Sequence, residues 1–253
     1  MSPARPNRRR YRKRGRFGFL YKMLAAIALV VAVVMGATVF FRVEEIVVAG
    51  NVRYEAQQII DASGILQGDN LFGMNKYDTA RQIRRQLPYV EGVNIRRGWP
   101  DTLIITVTEC QAAAQLTGVG EDWLISKTGK ILEPAGRPVS GVIRVEGLDA
   151  VQPEAGLPLV VREEQQARSD GLLLLLQALE QCSMAADVTR IDLSSPSRIL
   201  MDYADRFTVR LPVNDDFVYL LGAMEKAVAT LEEYETGTLD LTVKDYTVVF
   251  SPA

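Results

Sequence analysis

The chain has 253 residues, with 29 basic and 31 acidic residues, two cysteines and no histidine. The lack of histidine excludes Ser-His and Cys-His nucleophilic sites, His-ligated zinc and a histidine general base. Two cysteines cannot supply a four-thiolate metal site. We therefore predict no catalytic, cofactor-binding or metal-binding residues, since an enzyme of this composition would have to rely on carboxylates, lysine or tyrosine.

The N-terminal segment separates basic residues from apolar ones. Residues 1–22 carry nine basic residues and no acidic one, and Met23–Phe41 is a run of nineteen residues without a charge. As a helix this run would be about 28 Å long, close to the roughly 30 Å hydrocarbon core of a bilayer. The positive-inside rule then predicts a basic cytoplasmic tail over 1–22, a single transmembrane helix over 23–41 and an extracytoplasmic remainder.

Other interpretations of this segment are less favoured. A cleaved signal peptide would suit the small residues Gly36 and Ala37, but its apolar region is normally shorter, at about 7–15 residues. A buried core helix would normally carry a polar face. The basic tail could bind nucleic acid, but its charges stop where the apolar run begins. We therefore expect the tail to contact membrane lipid and no nucleic acid.

Residues 43–110 predict a small α+β unit with the order β-α-α-β-β. Strands are expected over 43–48, 90–97 and 103–109, and helices over 55–62 and 77–87, the second ended by Pro88. The pattern also predicts core or edge-covering roles for four apolar residues: Leu71, Phe72, Tyr89 and Trp99.

Four motifs stand in this region, directly after the apolar run. They are Val43-x-x-Ile46-x-Val48-x-Gly50-Asn51, Gly68-Asp-Asn-Leu-Phe72, Leu87-Pro-Tyr-Val90 and Arg96-Arg-Gly-Trp99-Pro-Asp-Thr-Leu-x-Ile105-x-Val107-x-Glu109. Together they resemble the POTRA domain of the bacterial FtsQ/DivIB cell-division family. The resemblance extends over the whole chain but is weaker beyond Glu109.

Residues 111–253 predict a larger mixed antiparallel β domain with two helices, so that the fold class is α+β. A hairpin is expected over 123–132, then single strands and a meander, and the two helices are predicted over 162–186 and after a cap at Asn214 or Asp215. The predicted strands after the hairpin are 142–146, 188–193, 198–203, 207–211, 238–243 and 246–250.

The last predicted strand is the candidate binding site. If it lies at a sheet edge, its unpaired backbone groups can bind an incoming strand, and it carries no charge to oppose this. In the family resembled, small coiled-coil division proteins dock in this part of the β domain. The resemblance therefore implies five partner-binding residues: Tyr246, Thr247, Val248, Val249 and Phe250.

The resemblance implies a non-catalytic division scaffold in the cytoplasmic membrane, enriched at the septum. Its implied partners are FtsL-like and FtsB/DivIC-like proteins and, through them, the septal peptidoglycan synthase. A membrane-anchored cell-wall hydrolase and a POTRA-type translocation or assembly factor are the alternatives. The hydrolase would need a carboxylate pair; the candidates are Asp69, Glu91, Asp101, Glu109, Asp202, Asp205, Asp215 and Asp216.

Cys110 and Cys182 are expected as two separate buried thiols.

Overall fold

A computed structural model describes residues 17–118, 120–243 and 247–253. The helices are α1 Phe17–Phe40, α2 Ala56–Ser63, α3 Lys76–Gln86, α4 Gln166–Gln181 and α5 Phe217–Val228. The strands are β1 Glu45–Ala49, β2 Val90–Gly98, β3 Thr102–Glu109, β4 Ala114–Thr117, β5 Trp123–Ile125, β6 Ile131–Pro134, β7 Ile143–Glu146, β8 Val188–Asp192, β9 Arg198–Tyr203, β10 Phe207–Pro212, β11 Gly237–Asp240 and β12 Val249–Pro252. The predicted α+β class is confirmed, with an apolar helix followed by a small and a larger β-containing region.

Helix α1 fits membrane anchoring by its length and composition. Its 24 residues include an apolar stretch, Gly18–Gly36, that is long enough to cross a membrane and has no buried residue. This stretch begins five residues before the predicted span and includes Lys22. A lysine near the end of a span can extend its ammonium towards the headgroups. The predicted basic tail lies outside the described residues, except for its last six residues.

The strands form a three-stranded sheet, in the order β1-β3-β2, and a nine-stranded sheet. The order of the large sheet is β12-β11-β10-β9-β8-β7-β4-β5-β6. Strands β8, β9 and β10 form the expected antiparallel meander, and β5 and β6 form the expected hairpin. Three pairs are parallel: β4 with β7, β7 with β8, and β10 with β11. The last of these pairs places β11 outside β10, and β12 then pairs with β11 at the end of the sheet.

The chain divides into two compact units. The first unit contains the described chain up to Val47, together with Ile65–Asn75 and Arg96–Ile104. Its segments are joined by backbone bonds, because the Val43 amide donates to the Asp69 carbonyl at 2.8 Å and the Glu44 amide donates to the Asp101 carbonyl at 2.9 Å. The second unit contains Val48–Gly64, Lys76–Ile95 and Ile105–Ala253.

In the second unit, α4 and α5 pack on the nine-stranded sheet. Of the leucine run at 172–176, Leu172, Leu175 and Leu176 are buried in the core, whereas Leu174 is exposed. The run therefore belongs to a helix packed on a sheet. The predicted helix over 162–186 is shorter in the structure: a 3₁₀ turn over Glu163–Gln165 precedes α4, and beyond its last residue, Gln181, Ser183 adopts a left-handed φ of 58°. The cap of α5 is Asp216, one residue later than predicted, and it accepts a hydrogen bond from the Tyr219 amide.

The β5–β6 hairpin is fastened to the end of α3 and the start of β2 by Lys130. Its ammonium donates to the carbonyl of Arg84 at 2.8 Å and to that of Val90 at 2.7 Å. Close by, the Tyr89 hydroxyl donates to Glu133 at 2.6 Å, and Arg85 pairs with Glu154 at 3.1 Å. Because backbone carbonyls need partners when water is excluded, Lys130 is the central member of this group.

We predict that Lys130→Met lowers the free energy of unfolding by about 1–3 kcal/mol, because two carbonyls lose their donor while the apolar stem is kept. Lys127→Met is the matched control. Lys127 forms a surface ion pair with Glu180 at 2.7 Å, and losing such a pair costs below about 1 kcal/mol. Urea unfolding of the full chain in detergent measures both. Equal losses in the two variants would contradict the role assigned to Lys130.

The same variant has a predicted pH dependence. Burial lowers the pKa of Lys130 from 10.5 to about 8. The unfolded state therefore binds this proton more tightly, and between pH 8 and 10.5 the stability of the parent chain relative to the Met variant should rise with pH. The neutral amine still has two N–H donors for the two carbonyls. The prediction is contradicted if the difference in unfolding free energy between the parent chain and Lys130→Met stays constant or falls between pH 8 and 10.5.

Candidate functional site

Strand β12 stands at one end of the nine-stranded sheet. It pairs antiparallel with β11, with Phe250 opposite Leu239 and Val249 opposite Asp240. Among the described residues no strand pairs with its other side. The structure therefore has an open sheet edge made by the C-terminal strand.

The side chains around β12 alternate between the core and the surface. Val248 and Phe250 are half-buried and pack against the main core, where Phe250 meets Phe207 edge-on at 6.2 Å between ring centroids. Thr247, Val249 and Ser251 are exposed on the other face. None of residues 247–253 is charged. The core contacts hold the strand in place while one uncharged face stays accessible.

The backbone of β12 can be divided by the hydrogen-bond pattern. The Ala253 amide donates to the Thr236 carbonyl at 3.0 Å. In an antiparallel pair, residues alternate between those that bond to the neighbouring strand and those that point away from it. By this alternation Val249 and Ser251 bond to β11, whereas the amide and carbonyl of Phe250 point to the open side. Pro252, two residues after Phe250, also has its backbone nitrogen on the open side. Proline has no N–H to donate, so an edge strand usually carries it at such an outward-facing position.

The opposite edge of the sheet, at β6, is covered. The Ile131 amide donates to the Leu157 carbonyl at 2.9 Å, and the Gly156 amide donates to the Ile131 carbonyl at 2.8 Å. Lys130 and Pro158 form a bridge in the same place. An edge protected in this way cannot readily pair with another chain. The two ends of the sheet therefore differ in availability.

The position of β11, and through it β12, depends on Arg206 and Gly237. The Arg206 guanidinium lies 4.7 Å from the centroid of the Phe207 ring and donates to the carbonyls of Glu232 and Glu235. The Gly237 amide donates to the Arg206 carbonyl at 3.2 Å. A side chain at Gly237 would overlap the Ser251 carbonyl, so glycine is required for the close approach of β11 and β12.

Strand β11 ends at Asp240, whose side chain accepts hydrogen bonds from the next residues of the chain. The Thr242 amide and hydroxyl donate to its carboxylate at 2.9 and 2.6 Å, and Arg210 lies 3.6 Å away. Burial raises the pKa of Asp240, but the bonds from Thr242 and the Arg210 charge outweigh it, so the pKa lies below its usual range. The carboxylate is therefore ionised at neutral pH and fixes the turn away from β11.

The predicted site residues are placed as follows. Val249 and Phe250 lie in β12, Thr247 and Val248 precede it, and Tyr246 lies outside the described residues. The strand runs over Val249–Pro252, later than the predicted 246–250. Sequence reasoning missed Ser251 and Pro252, although a proline shortly after the β-branched and aromatic residues Val249 and Phe250 is a signal for an edge strand. It also missed Arg206 and Gly237, which act through tertiary contacts.

Two family models match this chain. A model described as "POTRA domain, FtsQ-type" matches residues 41–109, and one described as "Cell division protein FtsQ/DivIB, C-terminal" matches residues 113–244. The second covers more than half of the chain. The chain belongs to the FtsQ/DivIB family. The predicted POTRA resemblance is thereby confirmed, while strand β12 lies beyond the matched residues.

Curated relatives in the family carry the same names. The chain is 29% identical over 143 residues to cell division protein FtsQ of Corynebacterium glutamicum, covering 55% of this chain and 63% of the relative. It is 29% identical over 151 residues to cell division protein DivIB of Clostridium botulinum strain Hall, covering 59% and 56%. Each match thus spans less than two thirds of the relative. A solved structure of the major extracytoplasmic domain of Geobacillus stearothermophilus DivIB, trans isomer, has 13% identity and a TM-score of 0.33 over 50% of this chain and 98% of that chain, too low to carry an argument.

Several carboxylates proposed above for a hydrolase have structural partners in this FtsQ/DivIB chain. Glu109 accepts from the amides of Arg53 and Tyr54 at 2.7 and 3.2 Å. Asp202 pairs with Arg190 at 2.8 Å, and Asp216 caps α5. These bonds account for the placement of the acidic residues at turns and element ends.

The two cysteines are free. Both are half-buried, rather than fully buried as the sequence suggested. Burial raises the pKa of Cys110, which favours its neutral thiol.

We predict that amide hydrogen exchange alternates along β12. In the full chain without a partner, the Phe250 amide should exchange at least about tenfold faster than the Ser251 amide, because only Ser251 donates within the sheet. Residue-resolved exchange in nanodiscs measures this, with the Ser251 amide as the internal control. Equal protection of both amides would show that the open side of β12 is already paired.

Proposed function

We propose that this chain is a non-catalytic scaffold of the cell-division machinery. It binds another division protein when a strand of that protein pairs with the open side of β12. The observation that carries the proposal is the contrast between the two ends of the large sheet. The β6 edge is bonded by residues 156–158, whereas β12 offers backbone groups and no charge. An open uncharged edge of this kind is suited to strand addition.

Strand addition explains why affinity and selectivity could reside in so few residues. The Phe250 amide and carbonyl would bond to the partner backbone, while exposed Val249 would contact a cross-strand side chain. Phe250 stays packed on Phe207, so β12 needs little reordering when a partner arrives. A preformed edge lowers the entropy cost of association.

The partners proposed are the FtsL-like and FtsB/DivIC-like membrane proteins, through which the chain would support septal peptidoglycan synthesis. Helix α1 would hold the chain in the cytoplasmic membrane with its basic N-terminus in the cytoplasm and the rest outside, enriched at the septum. Confinement to the same membrane raises the effective concentration of one protein for another, so an interface of modest size can suffice. This mechanism needs no covalent step.

We predict that Val249→Lys weakens binding to an FtsB/DivIC-like protein of the same organism by at least about tenfold, or about 1.4 kcal/mol. A lysine on an edge strand opposes the addition of a second strand. Val160→Lys is the matched control, since Val160 is 56% exposed, Val249 is 42% exposed, and Val160 lies next to the covered β6 end. Biolayer interferometry with full-length chain in nanodiscs measures the affinities.

Two outcomes would contradict the proposal. One is that Val249→Lys binds as tightly as the parent chain while remaining folded by circular dichroism. The other is that Val160→Lys weakens binding equally, which would show that charge anywhere on the domain is the cause. Loss confined to Val249→Lys supports the β12 edge.

A further inference from the structure

Three aromatic side chains meet in the first unit, immediately after the apolar helix. The ring of Phe41 lies edge-on to Phe72 at 5.1 Å and to Trp99 at 5.2 Å between centroids, and Phe72 and Trp99 are 6.1 Å apart. The last residue of α1, Phe40, contacts Phe41 at 5.1 Å. Residues Phe41, Phe72 and Trp99 are called the aromatic cluster below.

Phe41 is half-buried, and the other two rings of the aromatic cluster face outward. Trp99 is 74% exposed and Phe72 is 47% exposed, although both were expected to be core or edge-covering residues, and neighbouring Phe40 is 65% exposed. Large aromatic rings contribute most to burial, so grouping them at the surface costs free energy unless something covers them. The exposure of these aromatic rings therefore needs an explanation outside the protein's own core.

The position of the aromatic cluster next to the apolar stretch of α1 indicates that membrane lipid covers its rings. The uncharged run Met23–Phe41 is about 28 Å long as a helix, so it reaches the end of the hydrocarbon core at Phe41, directly after the last residue of α1. The interfacial layer of a bilayer is about 5–8 Å thick on each side of the hydrocarbon core. If α1 spans a membrane, Phe41 must lie in or at this layer, and Phe72 and Trp99 are held against it.

The cluster is held rigidly by polar bonds. The Leu71 amide donates to the Phe41 carbonyl at 2.9 Å, and Arg42 and Asn70 form a bridge. The Arg97 side chain donates to the Leu71 carbonyl at 2.6 Å, and its guanidinium lies 4.9 Å from the Phe72 ring centroid. The rings are therefore positioned before they meet any partner.

We propose that the aromatic cluster seats in the lipid interface on the side where α1 leaves the membrane and holds the first unit at that surface. Tryptophan and other amphipathic aromatic residues prefer this layer. The charged residues near the cluster have both signs, Arg42, Arg96 and Arg97 against Glu44, Asp69 and Asp101, so the attraction is to the interface itself and needs no anionic lipid. The inference rests on α1 as a membrane anchor and is independent of the β12 proposal.

Tryptophan fluorescence tests this directly, because the chain has two tryptophans. In Trp123→Phe, Trp99 is the remaining fluorophore. The full chain is placed in neutral phosphatidylcholine nanodiscs with bromines either near the glycerol end or near the middle of the acyl chains. We expect blue-shifted Trp99 emission that is quenched more strongly by the shallow bromines and is protected from aqueous iodide. Trp99→Phe is the control, since half-buried Trp123 packs against the β-domain core and should not respond to bromines.

A third variant separates this inference from the anchor on which it rests. Leu29→Trp, with both natural tryptophans replaced by phenylalanine, reports on the middle of α1. If Leu29→Trp is quenched by the deep bromines but Trp99 stays open to iodide and insensitive to bromine, the aromatic-cluster inference is overturned and the anchor stands. If Leu29→Trp is not quenched, α1 does not span the bilayer, and both the anchor and this inference are overturned.

Discussion

An open β-sheet must end somewhere, and the backbone groups of its last strand then need another partner. Over the described residues of this protein the large sheet has nine strands and does not close, so it has two such ends. At β6 the connection over residues 156–158 supplies the missing bonds. At β12 the described chain supplies none, and the surrounding contacts of Phe250, Arg206 and Gly237 serve to hold that strand in place. The proposed scaffold function depends on this asymmetry.

The rest of the second unit makes the open edge possible. Helices α4 and α5 cover one face of the sheet and bury the leucine run, so that the core does not depend on β12 alone. Because β10 and β11 are parallel, both strands start at the same end of the sheet, with Gly237 opposite Phe207. An antiparallel strand can then add to β11 as β12, and the same geometry can repeat once more with a strand from another protein. Membrane confinement through α1 would make that event intramolecular in effect.

Much of the small α+β region could be predicted from sequence, because its signals are local. Pro88 ends α3, Gly64 closes α2 with a left-handed φ of 67°, and strand alternation locates β2 and β3. The parallel pairs and the shift of β12 to Val249–Pro252 could not be predicted, since they depend on contacts between distant segments. The exposure of Trp99 was also missed, because an apolar motif does not reveal whether its cover is protein or lipid. Periodicity locates elements, whereas an available edge is a property of the whole sheet.

The central claim is that one backbone amide of β12 bonds to a partner, and replacing that amide by an ester tests it most directly. Phenyllactic acid at position 250 keeps the Phe250 side chain, removes the N–H that faces the open side and makes the Val249 carbonyl a weaker acceptor. The account predicts weaker binding to an FtsB/DivIC-like protein with a smaller loss of stability in the free chain than the equivalent ester at Ser251 causes, because only the Ser251 ester removes an N–H that bonds within the sheet. Unchanged affinity with the ester at position 250 would contradict the account.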